Sequence, residues 1–321
     1  MAYARRKSGS SRGRRRTKRG ARRSSYSGRT RRYTKRTRRT SRPMSKKRIL
    51  NTTSRKKRNG MLTFTNQQGS LVTIKQGPLI LPGNPATGGV PNNIGYVMWR
   101  PTAMDLTSGS ANNTIANSAQ RTATTCFMRG LSEHIRIETN TGNPWFHRRI
   151  CFTARDSSFY TLSASDTSGT DSNVIASGSV ETSNGWQRLA ANMISGGLAQ
   201  TVLNQKGVIF KGAEGVDWDD VISAPIDTAR VDLKFDKTWV YRSGNASGTL
   251  KEHKLWHPMN KNLVYDDDET GAAMAENNVS VEDKRGMGNY HVLDLFSQGS
   301  SGSTSDLLSF RCNSTLYWHE K

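Results

Sequence analysis

The first acidic residue of this chain is Asp105, and everything before it is neutral or basic. Residues 1–58 hold 26 of the 48 Lys and Arg. A block of like charge this dense repels itself and is expected to stay disordered until a polyanion neutralises it. It is almost free of large aliphatic residues until Ile49 and Leu50. It therefore cannot bury enough apolar surface to offset the entropy of ordering. The remaining residues carry 22 basic and 25 acidic side chains, a balance of −3. The chain thus reads as a cationic arm, 1–58, and a nearly neutral body, 59–321, which contains all seven Trp.

Phosphate binding needs cationic side chains rather than one geometry, and Arg adds a planar fork that pairs with phosphate at two points. The candidate phosphate ligands are Arg5, Arg6, Lys7, Arg12, Arg14, Arg15, Arg16, Lys18, Arg19, Arg22, Arg23, Arg29, Arg31, Arg32, Lys35, Arg36, Arg38, Arg39 and Arg42. Each neutralised phosphate releases counterions, so affinity should fall steeply with salt. Tyr3, Tyr26 and Tyr33 are interleaved and offer secondary stacking on unpaired bases. Two tighter clusters, Lys46-Lys47-Arg48 after Pro43 and Arg55-Lys56-Lys57-Arg58, have the form of nuclear import signals. They imply a nuclear import receptor as partner. The bland alternative for the whole arm is a solvated tail.

The body has the periodicity of a β protein. Val231, Leu233 and Phe235 alternate with Asp232, Lys234 and Asp236, the pattern of a half-buried strand over 231–241. Further short apolar or β-branched runs lie at 61–65, 71–75, 96–100, 124–128, 134–139, 145–153, 206–210, 249–256, 290–296, 307–312 and 315–319. Gly/Ser/Asn/Asp stretches such as 163–173, 243–248 and 297–305 separate them as loops. About a dozen strands without βαβ alternation fit an all-β sandwich or jelly roll. A short helix is expected within 187–203, and Trp218, Trp239 and Trp256 are expected in the core.

Enzymatic motifs are missing. There is no GxxxxGK[ST], HExxH or GxSxG. His253 and His257 share a strand face beside Glu252, a weak metal pattern. Asp266, Asp267, Asp268 and Glu269 form an acidic run that offers oxygen ligands to a divalent cation but lacks EF-hand spacing. Asp217, Asp219 and Asp220 form a second acidic group. A solvated loop or an ion pair is the simpler expectation for both groups. No cofactor and no enzymatic activity are expected. Cys126, Cys151 and Cys312 make no metal or disulfide spacing and are expected to stay reduced. No apolar run is long enough for a membrane helix, so no membrane partner is expected.

The join of arm and body, Met44-Ser45-Lys46-Lys47-Arg48-Ile49-Leu50-Asn51-Thr52-Thr53-Ser54-Arg55-Lys56-Lys57-Arg58-Asn59-Gly60-Met61-Leu62, resembles the segment that follows the Arg-rich arm in genomovirus capsid proteins. Three more stretches resemble the same family in the same order. They are Asn143-Pro144-Trp145-Phe146-His147-Arg148-Arg149-Ile150-Cys151-Phe152, the acidic run from Tyr265 to Gly271, and Gly286-Met287-Gly288-Asn289-Tyr290 leading to Thr315–Glu320. His147 stands where the family pattern has another aromatic. The resemblance implies a single eight-stranded jelly roll distantly similar to geminivirus coat proteins. It also implies a small icosahedral virion shell of about 60 copies, circular single-stranded DNA as cargo, and delivery to the host nucleus. The competing expectation is a cellular nucleic-acid-binding protein of ribosomal or chromatin type. Such proteins usually carry basic residues on the folded surface as well as on the tail. A nuclease with a targeting tail is the third, and the acidic groups are its only candidates.

Overall fold

The computed structural model describes residues 44–66, 74–83, 94–109, 111–167, 172–194, 197–299 and 302–321. The chain divides between Ser45 and Lys46, and the compact unit runs from Lys46 to Lys321. It opens with the helix α1, Lys46–Thr53, followed by eight principal strands. These are β1 (Arg55–Met61), β2 (Gly95–Trp99), β3 (Thr125–Thr139), β4 (Trp145–Ala154), β5 (Asp232–Tyr241), β6 (Leu250–Val264), β7 (Asn289–Gln298) and β8 (Leu307–Glu320).

Two antiparallel sheets result. The first runs β1-β8-β3-β6, with a short strand Leu79–Pro82 also on β8; the second runs β5-β4-β7-β2. β1 pairs with β8, β2 with β7, β3 with β6 and β4 with β5. Folding a long ribbon once and rolling it into two layers produces that nested pairing. The chain is an all-β sandwich, as its alternating patterns predict.

Alternation decides what each sheet buries. In β4, Trp145, His147, Arg149 and Cys151 point between the sheets, while Ile150 and Phe152 point to the opposite side. β7 divides likewise, with Tyr290, Val292 and Phe296 between the sheets and Leu293 and Leu295 outside them. The outer side is not left to water. The excursion between β4 and β5 covers it with Phe159, Leu198, Val202, Ile209, Phe210 and Trp218, several from the helix α2, Ala199–Ile209. Arg148 ties this cover down. It pairs with Asp236 of β5 and donates to the Val221 and Ala224 carbonyls at 2.8 and 2.7 Å. The strands β2, β4 and β7 are thus buried on both faces, whereas the edge strand β5 keeps an exposed face and its alternation. The first sheet is buried on one face only and keeps the alternation.

Several expectations change. Residues 206–210, read as a strand, belong mostly to α2, because Val202 and Ile209 pack on one side of a helix against the second sheet. The helix expected within 187–203 begins only at Ala199, and 185–189 is a strand. The boundary placed at residue 58 falls inside β1, since Arg55 to Arg58 pair with Glu320 to Tyr317.

Candidate nucleic-acid interface

The arm candidates Arg5, Arg6, Lys7, Arg12, Arg14, Arg15, Arg16, Lys18, Arg19, Arg22, Arg23, Arg29, Arg31, Arg32, Lys35, Arg36, Arg38, Arg39 and Arg42 lie outside the described residues. The import-signal candidates lie inside them. Lys46, Lys47 and Arg48 form the first turn of α1, and Arg55, Lys56 and Arg58 are exposed on β1. Lys57 is not available to a receptor. It is 4% exposed, and its ammonium donates to the Gln120 carbonyl at 2.8 Å and Thr122 Oγ1 at 2.9 Å, beside Glu320 at 3.0 Å. Alternation along β1 turns this residue inward while its two neighbours face out.

The acidic run also divides. Asp267 has a fully buried side chain that accepts from Arg121 Nη1 and Nη2 at 2.5 and 3.1 Å. Arg121 in turn stacks 3.8 Å from the Tyr265 ring centroid. Asp266, Asp268 and Glu269 are exposed. Asp267 is thus committed to an intrachain ion pair. Among the described residues no group of three His, Cys, Asp or Glu is placed to hold a metal ion, and no helix is long and apolar enough to cross a membrane.

Beyond the sequence reading, the structure assembles a basic and aromatic surface on the open face of the first sheet. Register places residues from four strands in rows across it. Lys56, His319 and Phe127 share one row. Arg58 and Tyr317 lead to Gly130 in the next. Thr315, Ser132 and Trp256 follow, then Asn313, His134 and Lys254, then Arg311, Arg136 and Glu252. Arg129 joins this face at an irregularity of β3 and hydrogen-bonds Asn260. Six Lys or Arg (56, 58, 129, 136, 254 and 311) face two Glu (138 and 252), so the field over the face is positive. Burial, with the charges of Arg129 and Lys56, pushes the His319 imidazole below its usual value.

Trp256 was expected in the core and is half exposed, at 50%. Its ring lies over Gly130, where an added Cβ would come within 2.7 Å of the indole. The backbone of Gly130, at φ +153°, thus becomes the floor for one indole face, and Tyr317 closes one side with its ring centroid 5.9 Å away. Trp218 is buried under the cover, as expected, and Trp239 is partly buried.

At the other end of the face, Arg136 and Arg311 are direct cross-strand partners. Like charges in that position repel. Beside them lies an open depression of about 210 Å³ lined by Pro78, Arg136, Glu138, Ser309 and Arg311. No protein-family model matches the chain, and no curated protein does.

A second polar cluster lies between the sheets. Arg149, Arg188, Glu133 and Asp294 are all fully buried. Arg149 bridges the two carboxylates, and Arg188 does so from the strand 185–189. Burial alone would raise Glu133, but Arg149, His257 and Arg188 outweigh it and hold the carboxyl at about 2. His257 reaches Glu133 at 3.2 Å, and His253 meets the Tyr241 hydroxyl at 2.9 Å. The weak metal pattern of these two histidines is therefore spent on internal hydrogen bonds. The two arginines and two carboxylates pair with one another inside the sandwich and join its two sheets. All three cysteines are free and buried.

Proposed function

We propose that the chain is the shell subunit of a small virus: a non-enzymatic structural protein whose sandwich assembles with copies of itself and whose arm packages circular single-stranded DNA. The observation that carries this reading is the nested strand pairing β1–β8, β2–β7, β3–β6 and β4–β5. We read it as a jelly roll, an architecture used by viral capsid domains. In this chain it follows an acid-free stretch, residues 1–54, that holds 22 Lys and Arg. The genomovirus resemblance supports the same reading. About 60 such stretches would supply about 1,320 positive charges, suited to a single-stranded genome on the order of 1.5 to 3 kilobases. Import by the host nucleus, through the exposed basic residues of α1 and β1, belongs to this proposal.

The basic sheet face favours a second reading, a cellular nucleic-acid-binding protein, because such proteins carry charge on the folded surface. Particle formation separates the two. The test is electron microscopy of the purified chain with extraction of the co-purified nucleic acid. Uniform shells holding single-stranded DNA support the capsid reading; a soluble binder that never assembles supports the other.

A further inference from the structure

We infer that the open face of the first sheet is a second nucleic-acid site, built for single strands, with bases stacking on Trp256 and Tyr317 and phosphates pairing with Arg58, Arg129, Arg136 and Arg311. The assignment of cargo rests on the proposed function; the site itself rests on the geometry of the face.

The arm's composition predicts poor discrimination between nucleic acids, since Lys and Arg without placed base contacts read phosphates alone. The face has what the arm lacks. Trp256 lies against the Gly130 backbone, with the Tyr317 ring tilted 56° to it at 5.9 Å and half its surface open. A seated ring loses little freedom when a base stacks on it, and stacking accepts any unpaired base. A duplex hides its base faces and gains nothing there. The cations stand around this platform. Arg58 is the register neighbour of Tyr317, and Lys254 lies two residues from Trp256 on the same strand face.

The facing guanidiniums of Arg136 and Arg311 supply the second observation. Arg136 pairs with Glu138, which also lines the depression, while Glu252 pairs with His134 and Arg311 makes no ion pair among the described residues. The open depression thus offers the Arg311 guanidinium to a phosphate. The face also follows directly in sequence on the arm, because β1 is the first strand after it.

The experiment uses the full chain and an oligodeoxythymidylate of about 16 nucleotides carrying 5-iododeoxyuridine. Photocross-links are mapped by mass spectrometry. The expected result is adducts at Trp256, Tyr317 or Phe127; adducts confined to residues 1–45 would overturn the inference. In parallel, Trp256→Ala is expected to weaken single-strand binding on the order of 10-fold while leaving binding to a duplex of equal length within about two-fold, and Trp256→Phe restores most of the loss. Arg136→Ala with Arg311→Ala is expected to weaken both and to lower the salt slope of single-strand binding by about 0.7, the share of one phosphate. Unchanged single-strand affinity in Trp256→Ala/Tyr317→Ala would also overturn it. Should that variant not fold, the cross-linking map of the unaltered chain decides. Particle formation is scored separately. Adducts on the face without particles would sink the capsid reading and keep this site, and particles without such adducts would do the reverse.

Discussion

Arg149 grips Asp294 at two points inside the sandwich, its Nε and Nη2 donating to the two carboxylate oxygens at 2.7 and 2.8 Å. The third guanidinium nitrogen crosses to the other sheet and meets Glu133 Oε2 at 2.5 Å. One side chain on β4 therefore joins β7 to β3 across the core. Removing one partner from such a buried network leaves a charge without compensation, which typically costs about 3–5 kcal/mol. Arg149→Met is expected to lose that much stability in urea unfolding of the full chain. A loss below about 1 kcal/mol would mean that the cluster does not staple the sheets.

Acid should weaken the fold in two separate windows. Burial, outweighing the hydrogen bond to Asp294, pushes His147 below its ordinary value; His291 is pushed well below by burial and then by the charge of Arg100. Neither ring nitrogen of His291 has a hydrogen-bond partner, which opposes charging it in the fold. Below about pH 6.5 the unfolded chain takes up protons that the folded chain resists, so stability falls with pH, by up to roughly 1.4 kcal/mol per pH unit for His291 and by less for His147. Glu133 acts lower down. Held at about 2 against an unfolded value of 4.5, it contributes stability that is complete above 4.5 and lost as pH falls toward 2. Chemical denaturation across pH 5 to 7 checks the first window: His291→Leu is expected to flatten the slope by about one proton, and an unchanged slope would contradict it.

Lys57 and its neighbours should part company. Lys57→Met removes the partner of buried Glu320 and is expected to cost about 3–5 kcal/mol. Lys56→Ala and Arg58→Ala, both exposed, are expected within about 0.5 kcal/mol of the parent. Nuclear accumulation of a fluorescent fusion is expected to drop when Lys46, Lys47, Arg48, Arg55, Lys56 and Arg58 become Ala together. Unaltered localisation would remove the import role.

The arm should act through charge alone. Changing Arg14–Arg16, Arg22–Arg23, Arg31–Arg32 and Arg38–Arg39 to Ala is expected to reduce packaged DNA about equally across sequences and to lower the salt slope of binding. Sequencing and quantifying the packaged nucleic acid checks this, and an unchanged yield would contradict it.

The strands were legible where one face meets water. Asp232–Tyr241 and the 134–139 segment carry their alternation openly. The fused strands were not: 124–128 and 134–139 are one strand, β3, because Gly130 breaks the pattern at an irregularity that the indole of Trp256 covers. Segment 307–319 likewise reads as two runs because Asn313 and Ser314 interrupt it, yet from Leu308 to His319 it pairs with β3, with one register shift between Tyr317 and Trp318. The Arg148-Arg149 pair gave no hint of its fate, since only the fold reveals that one side of β4 faces the cover and the other faces Glu133. The basic face escaped for a related reason. Lys56, Tyr317, Gly130 and Trp256 are dispersed along the chain, and only register brings them together.

Particle formation tests the central claim most directly. The full chain should be purified, examined by negative-stain electron microscopy, and its bound nucleic acid extracted and digested with strand-specific nucleases. The account predicts uniform closed shells about 20 nm across, the size expected of about 60 such subunits, containing single-stranded DNA. A chain that binds nucleic acid yet stays a monomer or dimer across salt and pH would contradict it.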